Sequence, residues 1–184
     1  VTMRGKFPPE GSSKSVTELM VQDTTRRRDW LAERGVKTMM WGDTLLYRGE
    51  ANDAALAPTR EDAKIRRETL PKDIVIADWH YTGSDPDFKS VPLLQGLGYE
   101  LIGCPWYNWA NIRNWARSLV ANKSRGLLQT TWAGYNMFPD IVTGESAMQF
   151  AAYVLAAEYA WSGGETPIEE LGYNADETFQ AIWN

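Results

Sequence analysis

The stretch Ile74-Val75-Ile76-Ala77-Asp78-Trp79-His80-Tyr81 carries the reading of the fold: a short apolar run that ends on a tryptophan. Three further runs share this grammar. They are Val36-Lys37-Thr38-Met39-Met40-Trp41, Leu101-Ile102-Gly103-Cys104-Pro105-Trp106 and Leu127-Leu128-Gln129-Thr130-Thr131-Trp132, and a helical stretch follows each. The four tryptophans lie 38, 27 and 26 residues apart, about the length of one strand–helix unit. Strands alternating with helices predict a parallel sheet with helices packed outside it. In such folds ligands bind at the carboxyl ends of the strands, where all four tryptophans fall.

The segments around these runs complete the pattern. Residues 1–14 read as a loop, rich in Pro, Gly, Ser and charge. Ser15-Val16-Thr17-Glu18 has capping-box spacing and opens a helix running towards Arg34 and stopping at Gly35. A long loop from Tyr47 to Pro58 precedes a polar helix over about Thr59–Leu70, which Pro71 ends. After the second strand a loop with Gly83, Asp85 and Pro86 leads to a short helix near Val91–Leu97. Ile112, Trp115, Ala116, Leu119 and Val120 repeat at i, i+3, i+4, i+7 and i+8, the apolar stripe of an amphipathic helix. The stretch Glu145–Trp161 is apolar almost all round and predicts a well-buried helix, with one more short helix near Asp176–Ile182.

A complete eight-stranded α/β barrel takes about 250 residues; this chain has 184, in four strand–helix units. The expected fold is therefore α/β: four β-α units forming the second half of a TIM (β/α)8 barrel. It is a single partial domain over 1–184, the half barrel itself occupying about 15–165. An open four-stranded sheet has two edges to cover, so the expected partner is a missing N-terminal half barrel or a second copy of the chain. A small doubly wound domain is the rival architecture.

Composition narrows the function. A net charge of -5 and a pI near 5.0 argue against nucleic acid as a partner. Arg26-Arg27-Arg28, flanked by acidic residues, reads as the solvated face of a helix. No stretch approaches the roughly eighteen apolar residues of a membrane span. The single cysteine, Cys104, excludes an internal disulfide and reads as a small core residue. A lone histidine and no carboxylate cluster at ligand spacing give no metal site. No Gly-x-Gly-x-x-Gly follows a strand and Gly163-Gly164 is isolated, so no cofactor is expected. Compartment is left open.

The strand ends gather Trp41-Gly42-Asp43, Asp78-Trp79-His80-Tyr81, Trp106-Tyr107-Asn108 and Trp132-Ala133-Gly134-Tyr135-Asn136. Aromatic faces suit the C–H faces of a sugar, and Asp, Asn and His share hydrogen bonds with hydroxyls. Glycoside hydrolysis adds a pair of carboxyl groups, one of raised pKa. Asp43 and Asp78 are the candidate catalytic residues. Trp41, Trp79, His80, Trp106, Tyr107, Asn108 and Trp132 are the candidate substrate-binding residues. Strand alternation requires Asp78 and Trp79 to point to opposite faces.

Taken in order, Trp41-Gly42-Asp43-Thr44-Leu45-Leu46, Ala77-Asp78-Trp79-His80-Tyr81, Pro105-Trp106-Tyr107-Asn108, Thr130-Thr131-Trp132 and Ala156-Ala157-Glu158-Tyr159-Ala160-Trp161-Ser162 resemble the C-terminal half of the (β/α)8 catalytic domain of family 20 glycoside hydrolases, the β-N-acetylhexosaminidase type. The resemblance covers roughly residues 15–165. It implies a carbohydrate substrate and a retaining mechanism in which the sugar's own acetamido oxygen attacks the anomeric carbon. It implies that Trp41, Trp79 and Trp132 wall the pocket and that Tyr107 hydrogen-bonds the acetamido oxygen. The family's Asp-Glu acid/base pair falls by spacing just ahead of Val1, which predicts little or no hydrolysis by this chain alone. Two positions depart from the family pattern: Trp109 and Gly134 stand where it has Asp and Glu. A non-catalytic carbohydrate-binding or self-associating scaffold is the alternative.

Overall fold

A computed structural model describes residues 13–82, 87–132 and 145–183. The expected loops over 1–12 and 83–86, and Gly134, lie outside the described residues. The chain begins with α1 (Val16–Ala32). Ser15 caps it: Glu18 N donates to Ser15 Oγ, and the Glu18 carboxylate accepts from Ser15 N. The helix closes a turn earlier than Gly35, where a φ of +70° lets Val36 N reach back to Leu31 O.

Four strands follow: β1 (Met39–Trp41), β2 (Val75–Asp78), β3 (Leu101–Gly103) and β4 (Gly126–Leu127). All pairings are parallel, and the order in the sheet is β1-β2-β3-β4. Each strand is shorter than its apolar run. Backbone bonds nevertheless continue past the ends, from Cys104 N to Asp78 O, Leu128 N to Gly103 O and Thr130 N to Pro105 O. A doubly wound sheet reverses its strand order at a switch point. Here the order never reverses, which is the order of neighbouring strands in an α/β barrel.

The connecting helices are α2 (Arg60–Thr69), α3 (Ser90–Gln95) and α4 (Trp109–Ala121), and α5 (Glu145–Ser162) and α6 (Ala175–Trp183) complete the chain. Thr59 and Asn108 cap α2 and α4 by accepting from Asp62 N and Asn111 N. One core lies between the sheet and α1–α4, around Leu45, Ile74, Ile76, Phe88, Leu101 and Trp115. A second joins α4 to α5 and α6 through Ile112, Ala116, Ala152, Leu155 and Tyr159, with Leu127 touching both.

Packing corrects two expectations about helices. Val120 is exposed, so the α4 stripe ends at Leu119. α5 is apolar on all sides but buried on one, leaving Trp161 almost wholly in solvent. Arg26 and Arg27 form the solvated face expected of them, pairing with Asp23. Arg28 differs: its guanidinium grips Asp73 and ties α1 to the start of β2. Cys104 is a buried core thiol, and burial raises its pKa. Among the described residues no helix is long and apolar enough to cross a membrane.

Candidate functional site

Residues after β2 alternate between the two faces of the sheet, and that alternation sorts the candidates. Trp79 and Tyr81 share one face, their rings 4.9 Å apart. Asp78 and His80 share the other, covered by α3 and α4.

The open face carries a run of aromatic rings across the strand ends. Trp41, after β1, lies 6.3 Å from Trp132, after β4. Both are largely exposed, at 41% and 57%. Tyr81 is 5.3 Å from Trp106, which meets Tyr107 edge-on at 4.4 Å. A chain of hydrogen bonds ties three strand ends together. Trp132 Nε1 donates to Tyr81 Oη at 2.7 Å, Tyr81 Oη lies 3.2 Å from Thr130 Oγ1, and Thr130 Oγ1 donates to Pro105 O at 2.7 Å. Because Thr130 gives its proton to Pro105, the Tyr81 hydroxyl is the donor to Thr130. Burial raises the Tyr81 pKa against the pull of these two partners, so the phenol keeps its proton.

Gln149 on α5 holds the far end of the array. Its Oε1 accepts from Trp106 Nε1 at 2.9 Å, Trp132 N at 2.8 Å and Thr131 Oγ1 at 3.2 Å. One carbonyl oxygen thus positions the ends of β3 and β4 relative to each other.

The covered face has a different chemistry. His80 is fully buried, its ring stacked at 6.0 Å on Trp115 and 6.3 Å on Phe88. Its Nδ1 lies 2.7 Å from Asp53 Oδ1, and its Nε2 lies 2.9 Å from Ser90 Oγ and 3.2 Å from Asp78 Oδ1. Ser90 Oγ in turn donates to Asp78 Oδ2 at 2.6 Å. Burial works to lower the His80 pKa, but the bonds to Asp53 and Asp78 outweigh it and raise it to about 9. The two carboxylates on either side of the ring therefore favour its charged form.

Asp53 is the residue that sequence reasoning missed. Burial alone would raise its pKa, yet His80 and the amides of Thr82 and Tyr81 hold it well below the usual carboxylate range. Tyr81 N, Thr82 N and Thr82 Oγ1 all donate to its Oδ2, at 2.7, 2.9 and 3.0 Å. The carboxylate thereby fixes the turn that presents Tyr81. Nothing in the loop from Tyr47 to Pro58 has a period or motif that singles Asp53 out.

The structure thus divides the predicted site. Trp41, Trp79, Trp106, Tyr107 and Trp132 come together with Tyr81 on the open face. Asp78 and His80 do not join them. Both have 0% exposure and are held to Ser90 and Asp53, so neither presents an atom to the open face. Asn108 is exposed, but its Oδ1 is engaged as the α4 cap. Asp43 sits in the turn after β1, nearly buried, with Oδ1 lacking a hydrogen-bond partner. Burial is the main cause of its raised pKa, opposed by bonds from Thr44 N and the Trp79 side chain. Among the described residues no group of three or more His, Cys, Asp or Glu is arranged to hold a metal ion.

No family model matches this chain, and no curated protein matches it.

Proposed function

We propose that this chain is the sugar-binding half of a glycoside hydrolase-like α/β barrel, holding an N-acetylhexosamine-type sugar against its strand-end aromatics. The convergence of Trp41 and Trp132 at 6.3 Å, from the two outer strands of the sheet, carries the reading. Exposed indole faces without an apolar partner surface are costly in water and suit the C–H face of a pyranose. The sequential strand order supports a barrel sector, closed by a further half barrel or by a second copy. The edge strand β1, with Met39 and Trp41 exposed, is one place for such closure.

A binding role without hydrolysis is favoured by the carboxyl groups. Asp78 is sealed beneath α3, and Asp43 is nearly buried with a raised pKa. The chain by itself therefore binds the sugar and leaves the glycosidic bond intact.

Titration of the protein with N-acetylglucosamine, followed by tryptophan fluorescence and calorimetry, tests the reading. Saturable binding that weakens about tenfold or more in Trp41→Ala and Trp132→Ala is expected, the loss of a stacking contact. No binding by the wild-type chain overturns it. Turnover of an aryl N-acetyl-β-glucosaminide at ordinary enzyme rates overturns the non-catalytic part alone.

A further inference from the structure

One carboxylate joins the buried His80 to the open aromatic face. Asp53 Oδ1 lies 2.7 Å from His80 Nδ1, while Asp53 Oδ2 accepts from Tyr81 N, Thr82 N and Thr82 Oγ1. Tyr81 carries the series onward, its hydroxyl accepting the Trp132 indole N–H at 2.7 Å. Imidazole, carboxylate, turn, phenol and indole thus form an unbroken line from the core to solvent.

The two nitrogens of His80 stand in different surroundings. Nε2 faces two acceptors, Asp78 Oδ1 at 3.2 Å and Ser90 Oγ at 2.9 Å, and the Ser90 proton is committed to Asp78 Oδ2. Nδ1 faces one acceptor, Asp53, and one donor: Ala54 N lies 3.3 Å from it and also reaches Asp53 Oδ1 at 2.7 Å. A neutral imidazole keeps one N–H and turns its other nitrogen into an acceptor. Nδ1 is the nitrogen with a donor at hand, so its proton is the one to leave, and the bond to Asp53 goes with it. The ring stays where it is. Asn111 Nδ2 and Trp115 Nε1, both on α4, hold His80 O at 2.9 and 3.0 Å, and the ring is stacked between Trp115 and Phe88. Asp53 is the partner able to yield, since it sits on a loop with its side chain 24% exposed.

We propose that Asp53 is a positioning residue for the aromatic face: the His80–Asp53 pair ties the turn at Tyr81 and Thr82 to the core, the Tyr81 hydroxyl sets the Trp132 indole, and release of the Nδ1 proton loosens both. The carboxylates that face the ring are Asp53 from the loop before α2 and Asp78 from β2, and Asp43 and Cys104 act in turn on Asp78. α3 and α4 present Ser90, Asn111 and Trp115, which do not titrate. Both carboxylates favour the charged ring and raise its pKa to about 9, so the release falls in the alkaline range. The Tyr81 phenol titrates later, because burial raises it above the ordinary 10.0.

Fluorine NMR on the full 184-residue chain labelled with 5-fluorotryptophan, with no ligand added, is the test. The resonances of Trp132 and of Trp30, which lies on α1 outside the network, are assigned by their loss in Trp132→Phe and Trp30→Phe. As pH rises from 6.5, the Trp132 resonance is expected to move with a midpoint of about 9 while that of Trp30 stays. Tyr81→Phe cuts the series at the phenol and abolishes the movement. Asp53→Asn holds Trp132 at its alkaline position across the whole range. A Trp132 resonance that stays still, that moves only together with Trp30 as the chain unfolds, or that still moves in Tyr81→Phe overturns the proposal. So does a folded Asp53→Asn chain that titrates like the wild type. None of these readouts involves a sugar, so failure here leaves the sugar-binding reading standing, and absence of sugar binding leaves this inference standing.

Discussion

Trp41 and Trp132 follow the first and last strands of the sheet, and their rings lie only 6.3 Å apart. In a flat four-stranded sheet the outer strands stand roughly 14 Å apart, so the two indoles reach inward over the strand ends. Trp132 does not reach unaided: its indole N–H is held by the Tyr81 hydroxyl at 2.7 Å.

Tyr81→Phe removes the acceptor for Trp132 and the donor to Thr130 in one step. The fold is expected to lose about 1–2 kcal/mol, since two hydrogen bonds go and each has a net value of about 1 kcal/mol. Sugar affinity is expected to fall by more than this stability loss suggests, because the freed indole gains rotamers that binding must then restrict. Paired denaturant melts and sugar titrations check the two effects separately.

His80 governs the alkaline limb of stability. Its folded pKa is raised to about 9 from an ordinary 6.5, so its contribution is complete below pH 6.5 and lost as pH rises through 9. The acid limb is mixed. Asp53, depressed, adds stability that disappears as pH falls below about 3.8, whereas Asp43, raised, favours the folded state at low pH. The expected profile of melting temperature thus declines between pH 6.5 and 9. His80→Gln flattens that decline and costs about 3–5 kcal/mol at neutral pH, because it leaves two carboxylates without their shared cation. A series of thermal melts from pH 5 to 10 on both proteins is the check.

Gln149 is expected to act through its carbonyl oxygen alone. Gln149→Leu strands Trp106 Nε1, Trp132 N and Thr131 Oγ1, a cost of about 1–3 kcal/mol with loss of sugar binding. Gln149→Glu keeps an acceptor in the same place and restores both. The paired variants, measured by melting and by titration, distinguish positioning from simple bulk.

Gly103 closes the approach of β3 to α4. A Cβ built there meets Trp115 Cε3 at 2.4 Å and Leu119 Cδ1 at 2.8 Å, and both side chains are buried. Gly103→Ala is expected to destabilise by about 1–3 kcal/mol through overpacking, with sugar affinity unchanged in the fraction that folds. Urea unfolding of the variant measures it.

Much of the fold was legible in the residues themselves. The Ser15–Glu18 capping box, the Thr59 cap with Pro71, and the apolar runs before each tryptophan are local signals, written within a few residues of where they act. The strand-end aromatics were legible for the same reason. Val120 and Trp161 were not, because apolar character does not reveal which face of a helix finds a neighbour.

The alternation of strands and helices, the helix starts and the aromatic clustering after the strands are all readable in the residues, since each rests on short-range periodicity and turn chemistry. Strand alternation also requires Asp78 and Trp79 to face opposite ways. Which one faces out depends on long-range packing: α3 brings Ser90 over one face, and the loop before α2 delivers Asp53 to His80. Asp53 and His80 are 27 residues apart, and Gln149 is 17 residues from Trp132. Partners so distant along the chain carry no local signal, and a carboxylate or imidazole expected at the surface becomes a buried clamp once packing has chosen its side.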